Sequence, residues 1–332
     1  MPKITKSQLL SATAAAEAAR PEVPDMRRAQ RATSPKLLNT RRRMEKLLAA
    51  SFAKDGIDTE EFEQIREQYS AEMQRVVERQ EATAAQRAPK AREVLRAVIA
   101  NRRKALETLL TLPLAPPYLY VLDRPFLIWG APHSNILIDT HIEPWNSWAK
   151  IRVVAETGGD HKSGEERLSF YFIWENETDY YAVIDASTVL AAHGACRARA
   201  EGGLGYLLLP PPALLSATAN LRLWQWSAQP QTWVATPPST VFELAAEAGV
   251  FEDTRTTSVW DSFDLDYRSF AVQPRGVVVI EVILAVSYHL FDGHVLANFA
   301  DGSYEVGCPF VVVGLLSAPP PMTPLVATSA NA

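Results

Sequence analysis

The chain has 332 residues, 47 % of them hydrophobic, with 33 Lys+Arg against 38 Asp+Glu and a net charge of −5. So apolar and weakly charged a chain is not largely disordered, and its length suits one large domain or two ordinary ones. Two cysteines, Cys196 and Cys308, exclude a disulfide scaffold and a cysteine-only zinc cluster.

The averages conceal a boundary at Thr111–Pro117. Residues 1–110 carry 22 Lys+Arg and 15 Asp+Glu, a balance of +7, whereas residues 111–332 carry 11 and 23, a balance of −12. The first part has one glycine, Gly56, and neither Trp nor His; the second holds every Trp, every His and 14 of the 15 glycines. Gly-poor, Ala/Glu/Arg/Gln-rich sequence favours helix, and aromatic or β-branched runs punctuated by Gly and Pro favour strands. The fold class is therefore α+β in series: a helical arm or bundle, coiled-coil-like, followed by an antiparallel β-sandwich of jelly-roll type.

Residues 1–35, broken by Pro21, Pro24 and Pro35, read as a flexible basic and Ala-rich arm. Residues 36–112 read as a helical stalk or bundle of three helices. The first runs from about Lys36 to Lys54 and stops at Gly56, suited to a left-handed cap. Asp58 with Glu61 three residues on starts the second in the manner of a capping box. Phe62, Ile65, Tyr69, Met73 and Val76 then hold one apolar face. Pro89 interrupts or kinks the pattern, and a third helix carries Val94, Leu95, Val98, Ile99, Leu106, Leu109 and Leu110 to Pro113. Stripes this narrow must pack on each other, on a neighbouring subunit or on the second module.

Residues 117–317 read as the sandwich. Apolar runs at Tyr118–Leu122, Phe126–Trp129, Leu168–Trp174, Tyr180–Ile184, Val189–Ala200, Gly205–Leu209, Leu221–Trp226, Phe270–Val272, Gly276–Val286 and Cys308–Leu316 are strand candidates. Turn signals at Thr157–Asp160, Asn176–Asp179, Gly202-Gly203, Gln273–Gly276 and Asp292-Gly293 separate them. Thr240–Ala248 reads as a short helix over an open end. Residues 318–332 form a disordered Pro-rich tail. The most apolar run, Val277 to Leu290, contains Glu281 and is too short for a membrane helix, so no transmembrane segment is expected. The first residues lack the apolar core of a signal peptide, which makes the cytoplasm the default location and leaves export within a larger assembly open.

Chemistry-bearing residues are sparse. Asp139, His141 and Glu143 alternate along one strand with His133 upstream, the donor types that zinc, iron or manganese take. The alternative is a half-exposed strand with Ile138, Thr140 and Ile142 inward. Asp261, Asp264 and Asp266 gather three carboxylates in six residues, a calcium candidate that lacks the Gly and distal Glu of an EF-hand. No nucleophile elbow or cysteine signature is present, and both cysteines read as packing residues, so no catalytic set is assigned and no cofactor beyond that calcium. Glu281 is the carboxylate of note, because burial without a partner is costly; alternation favours an outward-facing position.

Binding signals are stronger. Trp224 and Trp226 share one sheet face, and Trp145 and Trp148 flank a loop after Pro144, positions from which an aromatic stacks on a sugar ring or anchors a protein. Arg27, Arg28, Arg31, Arg41, Arg42 and Arg43 form a basic contact patch without the interleaved aromatics of base reading, which argues against nucleic acid. Its charge instead complements the acidic half of the same or another copy. The leading function is a non-enzymatic structural, assembly or adhesive protein whose helices mediate self-association or protein contacts while the sandwich presents a recognition surface. The alternative is a carbohydrate-binding module or glycan-active enzyme using the Trp-rich surface and the Asp261–Asp266 group.

Overall fold

A computed structural model of the chain describes residues 4–18, 46–47, 50–51, 54, 56, 59–111, 119–158, 161–203, 212–226, 233–249 and 251–316. The basic patch at Arg27–Arg43, Asp58, the run Gly205–Leu209 and the tail from Ala318 lie outside them.

Among the described residues, two long helices precede fourteen strands, with further helical residues at 46–47, 50–51 and 54. Helix α1 spans Lys6–Ala18 and α2 spans Thr59–Thr111. The strands are β1 (Leu119–Leu122), β2 (Leu127–Ala131), β3 (Leu137–His141), β4 (Trp148–Thr157), β5 (Lys162–Glu175), β6 (Ala182–Ala200) and β7 (Pro212–Trp226). They continue with β8 (Val234–Ala235), β9 (Ser239–Glu247), β10 (Asp253–Val272), β11 (Val277–Leu290), β12 (Gly293–Phe299), β13 (Glu305–Gly307) and β14 (Val311–Leu315). All pairings are antiparallel and make two sheets. Sheet A has eight strands: β10 pairs β6 on one side, and β14, β13 and β12 pair it in succession on the other, with β1, β4 and β3 beyond. Sheet B runs β2-β5-β11-β7, and β9 and β8 share the far side of β7.

Alternation along each strand sorts the side chains. Leu168, Phe170, Phe172 and Trp174 of β5, Val278, Ile280, Val282 and Leu284 of β11, and Leu215, Leu221 and Leu223 of β7 point inward from sheet B. They meet a sheet A surface of small residues, Ala182, Ala186, Ala192, Ala198 and Ala200 among them. Large against small fills the space between the sheets and admits a close approach of the long β6. Both cysteines are free and sit in this core, where burial pushes the Cys308 thiol up to about 12 and the Cys196 thiol higher still.

Four local expectations change. Thr240–Ala248 is not a helix: Phe242, Leu244 and Ala246 alternate into the core and pair with β7, so period two prevails over helix propensity. Pro89 does not divide the helical segment, because α2 is continuous across it. The proline sits on the solvent side beside the buried Ala88, so the cost of a lost bond, roughly 3 kcal/mol, is offset by docking along the rest of the helix. Residues 6–18, placed by sequence within the arm, are helical with Leu9 fully buried. Ile138 and Ile142 do not enter the core; they are 58 % and 37 % exposed around β3, an edge strand whose register shifts between Leu137 and Asp139.

Helix α2 packs on the second module and not on another described helix. Arg66 donates to the Gly202 carbonyl at 2.7 Å, Glu81 pairs with Arg197 at 3.1 Å, Arg92 grips Glu305, and Arg102 grips Asp264. Glu305 lies opposite His193 of β6 and Asp264 opposite Val189. From Glu81 to Arg102 the helix advances about 32 Å, and from Arg197 back to Val189 the strand covers about 26 Å. The helix therefore lies along β6, running against it.

Gly194 marks a close approach within sheet A. A Cβ there falls 2.5 Å from the Asn298 carbonyl oxygen and 2.5 Å from the Phe299 ring. Gly194→Ala is expected to lower stability by about 1–3 kcal/mol, read as a drop in the urea midpoint with unchanged slope.

Candidate functional site

The outward face of sheet B is aromatic, and it is covered. Helix α1 opens with a capping box: Thr5 N–H donates to Gln8 Oε1 at 2.9 Å and Gln8 N–H donates to Thr5 Oγ1 at 3.2 Å. This start aims Leu9 into a cluster with Leu127, Tyr171, Trp224 and Val279, ringed by Ile4, Leu10, Phe126, Trp129, Trp226 and Trp233. The Trp224 ring meets Tyr171 edge-on at 6.1 Å and Trp233 at 6.3 Å. Trp224 and Trp226 do share a face, as the sequence reading has it, but α1 occupies part of that face.

Beside the cluster lies a buried ion pair. Glu281 is central in β11, with Arg222 opposite on β7 and Tyr171 opposite on β5. Its carboxylate accepts from Ser169 Oγ at 2.7 Å, Tyr171 OH at 3.0 Å and Arg222 Nη1 at 3.2 Å. The Arg222 guanidinium lies 4.1 Å from the Trp233 ring centre, a cation–π contact. Glu281 thus faces outward from the sheet, as alternation requires, yet is 1 % exposed and fully partnered.

A second aromatic site lies between α2 and the outer face of sheet A. A cavity of about 360 Å³ has Ala191 and Gly307, paired across β6 and β13, for its floor. Arg92, Arg96 and Arg103 line one wall, and Trp145 and Trp148 line the other. His141 stacks on Trp148 with ring centres 5.2 Å apart, and Arg103 sits 5.2 Å from the Trp145 ring. Arg92 takes both Glu305 oxygens, and Arg96 reaches the same carboxylate at 3.7 Å. His193 also lines the cavity, 1 % exposed and held between the rings of Trp260 and Tyr304 at 4.3 and 5.5 Å. Its Nδ1 lies 3.0 Å from the Ser303 carbonyl, while its buried Nε2 has no partner. A carbonyl only accepts, so Nδ1 carries the proton and Nε2 presents a lone pair.

The other sequence candidates do not converge. Asp264 is held by Arg102 and Asp266 by Arg268, while Asp261 belongs to the opposite face of β10 and accepts from its neighbour Ser262 N–H. His133 pairs with Glu166 at 2.6 Å; His141 pairs with Glu143 at 3.1 Å, Asp139 accepts from Thr140 N–H, and β3 ends at His141, before Glu143. Among the described residues no three His, Cys, Asp or Glu side chains cluster as metal ligands would. Sequence reading missed His193, Glu305, Arg222 and Leu9. The Thr5–Gln8 spacing was the one local signal for α1; the others depend on strand register.

No protein-family model matches the chain, and no curated protein matches its sequence. Among solved structures it is similar to TmCBM61 in complex with beta-1,4-galactotriose, at 10 % identity over 55 % of this chain and 89 % of that one, with a TM-score of 0.17. It is also similar to a CBM4 structure at 15 % identity, over 52 % of this chain and 86 % of that one, with a TM-score of 0.15. No helix among the described residues is long and apolar enough to cross a membrane.

The ion pair and the histidines generate two expectations. Arg222→Met leaves Glu281 charged and unpaired in a buried setting, and is expected to cost about 3–5 kcal/mol; Arg222→Met with Glu281→Leu is expected to recover most of that loss in a double-mutant cycle. Burial pushes His161, His193, His289 and His294 below the ordinary imidazole value. The unfolded chain then takes up protons first, near pH 6.5, and the folded chain only at lower pH. The stability involved is complete above about pH 6.5 and is lost as the pH falls toward the folded values. The denaturant midpoint is expected to drop between pH 7.5 and 5.5, and replacing all four histidines with Gln is expected to flatten that slope.

Proposed function

We propose that the chain is a non-enzymatic assembly protein whose sandwich receives helices on both outer faces, its own or those of a second copy. The insertion of Leu9 into the Tyr171–Trp224–Val279 cluster carries this reading. A helix laid on an aromatic platform is a standard mode of protein recognition, and here the chain supplies both halves. Burying one leucine contributes about 1.5–3 kcal/mol, enough to dock α1 and small enough to let it exchange. Residues 19–58 separate α1 from α2, and a chain of that length reaches at most about 140 Å. The reach to a neighbour's sheet B is therefore available, and mass action decides which copy is used.

A second surface supports self-association. Phe62 and Tyr69 of α2 meet the Phe251 ring at 6.3 and 4.9 Å, but Ile65, Tyr69 and Val76 keep 49, 40 and 38 % of their surface exposed. This is the stripe that sequence reading assigns to a coiled-coil-like seam, and in the proposed assembly a second copy's α2 covers it. The jelly-roll ordering of the strands belongs to the same reading.

Light scattering of the full chain over a wide concentration range tests the proposal. Mass is expected to rise with concentration, and Leu9→Asp is expected to weaken association by roughly ten- to a hundredfold. Circular dichroism should show the sandwich still folded, because Leu9 lies outside the inter-sheet core. A full chain that stays monomeric at every concentration overturns the proposal.

A further inference from the structure

The cavity between α2 and sheet A has features that structural packing does not require. His193 is buried, neutral by virtue of its burial, and committed through Nδ1 to Ser303, so its Nε2 lone pair calls for a hydroxyl or amine donor that no described residue supplies. An unmade hydrogen bond at a buried acceptor costs free energy that a bound donor returns. Trp148 lines the same space with His141 stacked on its ring, a rigid indole of the kind on which sugar rings lie. The floor of Ala191 and Gly307 leaves room above it.

The charge of the lining narrows the ligand. Three arginines face one carboxylate, Glu305. Arg92 is committed to Glu305 through both oxygens, and Arg103 bonds Glu107 at 2.7 Å. Arg96 makes one long contact of 3.7 Å and is half exposed. Its guanidinium retains the paired donors that grip a carboxylate in two parallel bonds.

We propose that this cavity binds an acidic pyranose sugar of the uronic acid type, its ring on Trp148, one hydroxyl donating to His193 Nε2, and its carboxylate on Arg96. The site is independent of the assembly reading, which rests on sheet B and on the opposite flank of α2.

Calorimetric titration of the full chain with sodium D-glucuronate and D-galacturonate tests it, with D-glucose, D-galactose and sodium acetate as the other arms. At least one uronate is expected to bind saturably with a Kd in the millimolar range or tighter, about tenfold tighter than its neutral counterpart, with no binding of acetate. His193→Phe keeps a ring between Trp260 and Tyr304 while removing the acceptor, and is expected to weaken binding about tenfold. Arg96→Gln is expected to abolish the preference for uronate over neutral hexose. Should His193→Phe fail to fold, Ala191→Phe fills the floor without touching the histidine and is expected to abolish binding. The proposal is overturned by no saturable uronate binding up to about 10 mM, by acetate or neutral hexose binding as tightly as the uronates, or by binding that survives in the folded cavity variants.

Discussion

Strand β6 is the member on which everything else in this molecule is hung. Over nineteen residues it pairs on one side with β10 and on the other with β14, β13 and β12 in turn. On that second side the three short strands take Ile184–Thr188, Ala191–His193 and Ala195–Ala200 in turn. Its inward residues are mostly small, half of them alanine, which lets the large residues of sheet B approach. Its outward residues, from Ala191 to Arg199, form both the track along which α2 lies and the floor of the cavity. Lengthening the inward side chains pushes the sheets apart, and a bulge near Ala191 turns the histidine and arginines to the wrong face. The inner and outer chemistry of β6 are thus coupled through a period of two.

A sandwich buries two of its four sheet faces against each other, and the outer two are normally left to water. Here neither is. Sheet B places Val279 and Tyr171 outward with Trp224, and sheet A places Trp148 and Trp260 outward. Each surface is only partly apolar, since each also carries ions: Arg222 and Glu281 on one, Arg197, Arg199 and Glu305 on the other. The mixture decides what can cover them. A purely apolar lid leaves the ions unpaired at a cost of several kcal/mol each, and a purely polar lid leaves the aromatics wet. On sheet B the ions satisfy one another and the lid supplies a leucine; on sheet A the lid supplies the counter-ions of Arg197 and Glu305, while Arg199 pairs with Glu201 and Glu252 of the sandwich.

That difference in covering accounts for what sequence reading could reach. The division into helix-rich and strand-rich halves was visible because Gly, Trp and His are so unevenly shared, and the turns at Asn176–Asp179, Gln273–Gly276 and Asp292-Gly293 fall where β5, β10 and β11 end. Trp224 and Trp226 could be placed on one face by spacing alone. β9 was misread because Phe242, Leu244 and Ala245 suit a helix as well as a strand over so short a run. Glu281 could be recognised as unusual but not as satisfied, because Arg222 lies 59 positions away and only the β7–β11 register sets it opposite. His193 was silent for the same reason: its unpartnered nitrogen depends on Ser303, Trp260 and Tyr304, none of them local in sequence. The Asp261–Asp266 group shows the converse: closeness along a strand puts Asp261 on the face opposite to Asp264 and Asp266.

The two helices are held in physically different ways, and this orders their mobility. Helix α2 is fastened at several points along its length, by Arg66 to Gly202, Glu81 to Arg197, Arg92 and Arg96 to Glu305, and Arg102 to Asp264. Each exposed pair contributes little by itself, and salt screens it. Four attachments on one rigid rod act together, however, because breaking one does not release the helix. The cavity persists because one of these pairs acts as a spacer: Arg92 and Glu305 hold the helix off a floor that has no side chains larger than methyl at Ala191 and Gly307. Among the described side chains, helix α1 is held by apolar contacts of Leu9 and Leu10, with Ile4 just before it, contacts that salt does not screen. Raising ionic strength therefore loosens the cavity wall before it loosens the lid on sheet B, so the two faces of the sandwich respond independently to their surroundings.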